Sequence, residues 1–380
     1  MKKIKILFVF GTRPEAIKMV KLIKKVKNNS NFLCKVCVTG QHKQMLDQVL
    51  ELYSIKPDFD LAIMEPNQDL TDVTMKTLEG LRSIFLDWTP NIVLVQGDTS
   101  TAFTTSLAAF YQKINVGHIE AGLRTGNIYS PWPEEMNRVL ISKIASLHFA
   151  PTTLTKKNLL DEGVDKNNIY LTGNTVMDSL LEMHKKIQDP KIIKSMNKKF
   201  NFLDKSKKII LVTGHRRENF GGGFENICLG IKKISNIGNV QIVYPVHLNP
   251  NVQEPVNRIL SQSNNIHLIS PLDYLPFIYL MSKSSLILTD SGGIQEEASA
   301  FNIPLLVMRD NTERSESIDI KTVKLVGTDA EKIYGESLKF LNLEIKPNFD
   351  LSRNPFGDGM ASEKIVKIIL DFFNKKLKSK

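Results

Sequence analysis

The sequence predicts a doubly wound α/β protein made of two similar halves, on three observations. Short apolar runs alternate with helical patterns along the chain, which argues for parallel sheets with helices on both faces. The runs are rich in Val, Ile and Leu, as strands buried on both faces are. Two of them, Ile6–Phe10 and Ile209–Thr213, lead into the same kind of turn: a glycine, then cationic side chains, then a helix.

The first strand is Ile4–Phe10. The basic start Met1-Lys2-Lys3 before an apolar run resembles a leader, but the run is short and no small-residue cleavage site follows, so it reads as a buried strand. Gly11 permits a tight turn, and Pro14 suits the first position of a helix over Pro14–Lys27. Arg13 lies in the turn and Lys18 about one helical turn on, so both can reach the strand ends. One glycine does not make the G-x-G-x-x-G fingerprint, which argues against a nicotinamide enzyme. For this segment alone, a plain strand-to-helix turn with surface cations is an equal reading.

The next strand covers Lys35–Thr39. Cys34 and Cys37 mimic a redox or zinc dipeptide, yet residues three apart in the run Phe32–Val38 point to opposite faces. With Cys228 they make three cysteines, too few for a disulfide framework and suited to a reducing compartment. Helices over Lys43–Leu52 and Val73–Trp88 precede the strand Ile92–Gln96, which ends in Gly97-Asp98. Asp98 stands just before a helix over Thr101–Gln112, where it can cap that helix or act chemically. The strand Val116–Glu120 carries Glu120 at its end. Glu134 follows Pro133 in a first helical turn, where an acid also complements the helix dipole. Three carboxylates at strand ends or helix starts of one domain suit acid/base partners with properties tuned apart. After the strand Leu147–Ala150, the pattern breaks at Thr172-Gly173-Asn174. That divides the chain into domains at 1–172 and 173–361.

The second half supplies strands at Ile209–Thr213, Val240–Val246, Ile266–Ile269, Leu286–Thr289 and Leu305–Arg309. Ser291-Gly292-Gly293, after Leu286–Thr289, offers backbone N–H groups at a helix N-terminus, a phosphate cradle. Glu297 lies a turn further on and can hold a ribose diol. His215, Arg216 and Arg217 add donors from the other turn. Tyr274 and Phe277 offer an aromatic surface for a base, or are ordinary core. In open α/β sheets ligands bind at the carboxyl ends of strands, and two such domains facing each other put both sets of cations into one cleft. Lys364–Lys375 reads as a final amphipathic helix.

The net charge of +10 over 380 residues invites a nucleic-acid reading. The lysines are scattered among asparagines on helix surfaces, with no basic stripe interleaved with aromatics, so no nucleic-acid partner is expected. No apolar stretch approaches the roughly 20 residues that span a bilayer, so no membrane partner is expected and a cytoplasmic place is. The histidines show no H-x-x-x-H or H-x-H spacing, so no metal is expected. G-x-S-x-G is absent as well.

Taken together, FGTRPEAIKM (10–19), QHKQMLDQVL (41–50), QGDTSTA (96–102), GHIEAGLRTG (117–126), YSPWPEEMNR (129–138), TGNT (172–175), TGHRREN (213–219), YPVHLNPNV (244–252), DSGGIQEE (290–297), MRDNTER (308–314) and NPFGDG (354–359) resemble the non-hydrolysing UDP-GlcNAc 2-epimerases. The resemblance implies two Rossmann-like domains in the glycosyltransferase-B-type architecture, with a cleft between them, and a last helix (362–380) returning to the N-terminal domain. It implies a homodimer that needs no cofactor. The implied reaction converts UDP-GlcNAc reversibly to UDP-ManNAc by anti elimination of UDP to 2-acetamidoglucal and re-addition, for surface polysaccharide precursors. Asp98, Glu120, Glu134 and His215 match the catalytic set. Arg13, Lys18, Tyr274, Phe277, Ser291, Gly292, Gly293 and Glu297 match the substrate contacts. Gln41, His42, Gln44, Arg216 and His247 match a site at which UDP-GlcNAc activates some relatives. Asn67 stands where activator-dependent relatives carry Arg, which implies turnover without an activator.

Other departures are Gln96 where His is common, Ser299 and Ser315 where Pro is usual, and Lys321 where Gly is usual. Three rival readings remain at this point: a hydrolysing 2-epimerase releasing UDP and ManNAc, a glycosyltransferase of the same architecture, and an inactive nucleotide-sugar sensor. Asp98→Asn separates the transferase, in which turnover would survive.

Overall fold

Every strand pairing among the described residues of the computed structural model is parallel. The structure describes residues 3–40, 43–65, 68–318, 321–343, 345–352 and 354–378. They divide into one unit of Met1–Leu181 with Pro355–Lys380 and a second of Glu182–Asn354.

In the first unit seven strands form one sheet: β1 (Ile4–Phe10), β2 (Phe32–Val38), β3 (Phe59–Asp60), β4 (Ile92–Gln96), β5 (Asn115–Ile119), β6 (Leu147–Ala150) and β7 (Ile169–Leu171). Their order is β3-β2-β1-β4-β5-β6-β7. The second unit has β8 (Lys208–Thr213), β9 (Val240–Pro245), β10 (Ile266–Ile269), β11 (Leu286–Thr289), β12 (Leu305–Val307) and β13 (Val323–Leu325), ordered β10-β9-β8-β11-β12-β13. Each sheet starts from its first strand, builds outward on one side, then returns to the other side. This is the Rossmann order, and it places the switch point between β1 and β4 in one unit and between β8 and β11 in the other.

The strands' continuous apolar runs account for the cores. Ile6–Phe10 and Ile92–Val95 are fully buried, and so are Ile210–Val212 and Leu286–Leu288. Helices cover them through one face each. Phe224, Ile227, Cys228 and Ile231 of the helix Gly222–Ser235 join the core of the second unit, and Leu81, Ile84 and Phe85 of Leu70–Asp87 join that of the first.

The helix Thr175–Lys186 runs across the division, and its start belongs to the first unit for a local reason. Ser179 Oγ donates to the Ile17 carbonyl (2.5 Å), and the Asp178 carboxylate accepts the N–H groups of Ala361 (3.1 Å) and Ser362 (2.8 Å). Asp178 thereby satisfies first-turn donors of the last helix, Ala361–Lys378. That helix lies on the helix Arg13–Lys27, where Lys25 pairs with Glu363.

The structure differs from the sequence reading at several elements. β3, β7 and β13 have only two or three residues and escape a periodicity test. β5 stops at Ile119, one residue short of Glu120. Ser299 lies within the helix Gly292–Ala300 and donates to the Gln295 carbonyl (2.6 Å). Ser315 opens a short helix, and Lys321 is exposed. No described helix is long and apolar enough to cross a membrane.

Candidate active site

In the first unit the chemistry gathers at the ends of β1, β4 and β5. Glu120 has φ +66°, a left-handed conformation that side chains other than glycine rarely adopt. The turn brings its buried carboxylate back over the strand ends. There it accepts from Lys18 Nζ (2.5 Å), from Asn174 Nδ2 (2.8 Å) and from Gln96 Nε2. It also lies against the Gly97 turn: a Cβ added at Gly97, itself at φ +68°, would sit 3.2 Å from Glu120 Oε2.

Asp98 follows that glycine. It does not cap the next helix, because Thr99 does so, accepting from Ala102 N–H (3.0 Å). Asp98 Oδ2 instead accepts two bonds from Arg138, from Nε (2.9 Å) and Nη2 (2.6 Å), and its carbonyl accepts from Asn137 Nδ2 (2.8 Å). Arg138 also donates through Nη1 to buried Glu135 (2.7 Å), which in turn holds the Thr125 and Gly126 N–H groups. Glu134 is the first residue of this same helix, Glu134–Ile144, and is half-buried. The helix thus ties Asp98 to the element that carries Glu134, while Gly97 ties Asp98 to Glu120.

A fourth acid, Glu15, joins the β1 turn to the β4 turn. Its Oε2 accepts from Gly11 N–H (3.0 Å), Thr12 N–H (2.8 Å) and Thr12 Oγ1 (2.8 Å), and its Oε1 accepts from Thr99 Oγ1 (2.7 Å). Burial raises its carboxyl above the usual range, and these hydrogen bonds oppose the rise. Arg13, half-buried, opens the helix beside this turn. His118 Nε2 donates to the Gly97 carbonyl (2.7 Å) and so pins the turn from below.

In the second unit the ends of β8 and β11 meet. Asp290 Oδ2 accepts the N–H groups of His215 (2.9 Å) and Arg216 (2.8 Å). Ser291 N–H turns inward to Thr289 Oγ1 (3.0 Å). The phosphate cradle expected from the sequence would therefore rest on the first-turn N–H groups of the helix that starts at Gly292, which have no carbonyl within their own helix to bond. The two glycines differ. A Cβ at Gly292 would lie 2.3 Å from Arg314 Nη1, whereas one at Gly293 would meet nothing within 4 Å.

Arg314 belongs to a buried ionic knot under the cradle. Its Nε donates to Glu296 (2.5 Å) and its Nη1 to Glu313. Arg309 donates to Glu313 (2.9 Å) and Glu218 (2.7 Å). Pairing lets these charges stay buried. Tyr274 and Phe277 are buried, so the aromatic surface expected from the sequence is not an exposed face. The Tyr274 hydroxyl is used to hold Glu297 Oε1 (2.7 Å). The His247 ring stacks on His215 at 5.1 Å. Gln41, His42 and Asn67 lie outside the described residues, as does the side chain of Gln44.

A sequence profile described as UDP-N-acetylglucosamine 2-epimerase matches residues 24–370. The UDP-N-acetylglucosamine 2-epimerase of Salmonella typhimurium is 53% identical over 371 residues, 97% of this chain and 99% of its own. The chain belongs to the UDP-N-acetylglucosamine 2-epimerase family. Among solved structures of epimerases, that from Neisseria meningitidis bound to UDP-GlcNAc superposes with a TM-score of 0.92 at 48% identity, covering 97% of this chain and 100% of that one. The Methanocaldococcus jannaschii enzyme in complex with UDP-GlcNAc and UDP gives 0.86 at 34% identity, over 97% and 99%.

Sequence reasoning about this epimerase-family chain named the acids but missed what holds them: Arg138, Glu135, Asn174, Glu15, Asp290 and the knot of Arg309, Glu313, Arg314, Glu296 and Glu218. Two signals were available. Thr12 with Glu15 three residues on has the capping-box spacing, and MRDNTER packs four charged residues into seven.

Proposed function

We infer that this protein interconverts UDP-GlcNAc and UDP-ManNAc without releasing free sugar. The supporting observation is the pair of strand-end carboxylates in the first unit, each held by a cation: Asp98 by Arg138 and Glu120 by Lys18. A carboxylate so paired is fixed in place, as a group that exchanges a proton with a bound sugar has to be.

A carboxylate of the set Asp98, Glu120 and Glu134 removes the proton on carbon 2 of the sugar. The C2–H electrons form the C1–C2 double bond, and the C1–O bond breaks with its electron pair going to UDP. The products are 2-acetamidoglucal and UDP, both retained. A second acid of the set then protonates carbon 2 from the opposite face, and the UDP oxygen re-adds at carbon 1. Arg13, His215 and the helix start at Gly292 stabilise the charge that grows on the departing diphosphate. Glu297 holds the ribose, and Lys18 holds Glu120 in position. The cycle is redox-neutral and moves one proton out and one in, so it calls for no nicotinamide or metal.

The enzyme acts in the cytoplasm as a homodimer, its product feeding surface polysaccharide precursors. Large apolar side chains left exposed on the helices Leu70–Asp87 (Met75, Leu86) and Ser100–Tyr111 (Phe110, Tyr111) support self-association, which light scattering on the eluting protein measures. The elimination itself is tested with UDP-GlcNAc carrying oxygen-18 in the sugar–phosphate bridge. Reversible C1–O cleavage scrambles the label into non-bridging β-phosphate positions. A label that stays in the bridge while UDP-ManNAc forms would exclude elimination.

A further inference from the structure

Asp290 is fully buried at the end of β11, beside the switch point of the second unit. Its two oxygens are in different situations. Oδ2 accepts three donors: His215 N–H (2.9 Å), Arg216 N–H (2.8 Å) and Asn219 Nδ2 (3.3 Å). Oδ1 is equally buried and accepts no hydrogen bond among the described residues. A buried carboxylate oxygen without a donor is costly, so its retention asks for a reason. Oδ1 lies 3.9 Å from His215 Nδ1, too far for a hydrogen bond and near enough that a small turn of the ring would make one.

The other neighbours of the ring favour that turn. The side chain of His215 is 44% exposed, its outer edge in solvent and its inner edge over Asp290. His247, 5.1 Å away and nearly parallel, accepts the Asn249 N–H at its own Nδ1 (3.1 Å). Among the described residues, the charged groups that act on His215 are Asp290 from β11 and Arg216 from its own turn. Arg216 is drawn in turn toward Glu313 (4.0 Å). Burial and Arg216 push the imidazole below its ordinary value, and Asp290 pulls it up.

We propose that Asp290 is a positioning residue for His215, which on binding of a nucleoside diphosphate brings Nδ1–H onto Asp290 Oδ1 and presents Nε2–H to a phosphate oxygen. An anion on each nitrogen requires a proton on each, so the bound ring is an imidazolium. The ligand supplies the second anion, and charge appears on His215 only when the site is filled. The argument rests on the proposed function in taking the anion to be UDP.

Full-length enzyme with nitrogen-15 in its histidines tests this by two-bond proton–nitrogen NMR at pH 7.5, with and without UDP. The His215→Asn variant assigns the signals. Saturating UDP is expected to convert His215 from one protonated nitrogen to two. An unprotonated Nδ1 in the UDP complex overturns the proposal, and so does calorimetry showing no UDP binding. Asp290→Asn gives a second readout. Its amide oxygen can keep the two backbone bonds, while its NH2 faces Nδ1 and blocks the proton there. The expected result is a fall in kcat of roughly 100-fold, KM held within about threefold, and the alkaline limb of kcat moved to lower pH. A wild-type kcat and pH profile in Asp290→Asn overturns the proposal. The ring state is read without turnover, so a wild-type enzyme that protonates His215 on binding UDP yet makes no UDP-ManNAc would sink the functional reading and leave this one standing.

Discussion

Lys18 Nζ lies 2.5 Å from Glu120 Oε1, with 8% and 3% of the two side chains exposed. The pair joins the first helix of the chain to a residue in a left-handed turn 102 positions later. A buried carboxylate in such a turn persists only if its surroundings hold it there. Lys18, Asn174 and Gln96 help to do so, and of these three Lys18 is the charged one.

Removing that charge should therefore cost stability as well as activity. Lys18→Met is expected to destabilise the fold by about 3–5 kcal/mol, the usual result of orphaning one partner of a buried pair. The double variant Lys18→Met with Glu120→Gln should recover a large part of that loss, while both remain inactive. Urea denaturation of the two variants measures the difference. Equal destabilisation would mean that an orphaned Glu120 charge is not the source of the loss.

Adjacent glycines of the second unit should behave differently. Gly292→Ala puts a methyl group 2.3 Å from Arg314 Nη1, inside the buried knot, and is expected to lower the melting temperature by several degrees. Gly293→Ala meets nothing within 4 Å and should leave the melting temperature unchanged. Its methyl group stands where an anion would approach the helix start, so UDP affinity should drop roughly tenfold or more. Calorimetry and thermal denaturation on the same samples separate the two effects.

Acid should unfold the protein partly through two histidines that never meet the substrate. Burial, aided by the Arg124 cation, holds His118 down to about 3 and His148 down to about 4. Both folded values lie below the unfolded one, so the unfolded chain binds protons first as the pH falls. The stability is fully present above about pH 6.5, declines by about 1.4 kcal/mol per pH unit for each ring below that, and is lost once the folded values are passed. Between pH 8 and pH 5 the two together should remove about 4 kcal/mol. Urea midpoints across this range measure the slope. The variant carrying His118→Gln and His148→Gln should be flatter by that amount.

The rate should follow a hyperbola in UDP-GlcNAc, and UDP-ManNAc alone should be turned over. The expectation comes from Asn67 in place of Arg, and initial-rate assays in both directions check it. A sigmoid curve with an absolute requirement for UDP-GlcNAc would refute it.

The sequence revealed the parts of the site that depend on local pattern. Apolar runs ending in glycine marked β1, β4 and β8, the run before Asp290-Ser291-Gly292 marked β11, and with them came Arg13, Asp98, His215 and Ser291 at the strand ends. What it concealed is the pairing of these groups with distant residues. Asp98 and Arg138 are 40 residues apart, Glu120 and Asn174 are 54 apart, and His215 and Asp290 are 75 apart. Tertiary packing between strand ends and segments far apart in the chain creates such contacts, and no periodicity records them. The left-handed turn at Glu120 was hidden for a related reason. Strand propensity carries through Ile119, and donors from elsewhere in the unit, Lys18, Asn174 and Gln96 among them, hold the next residue out of line.

Proton NMR of UDP-GlcNAc incubated with the purified protein in deuterated water tests the central claim most directly. UDP-ManNAc should appear, with deuterium entering carbon 2 of both sugar nucleotides. Free ManNAc and UDP with no UDP-ManNAc, or a spectrum that never changes, would contradict it.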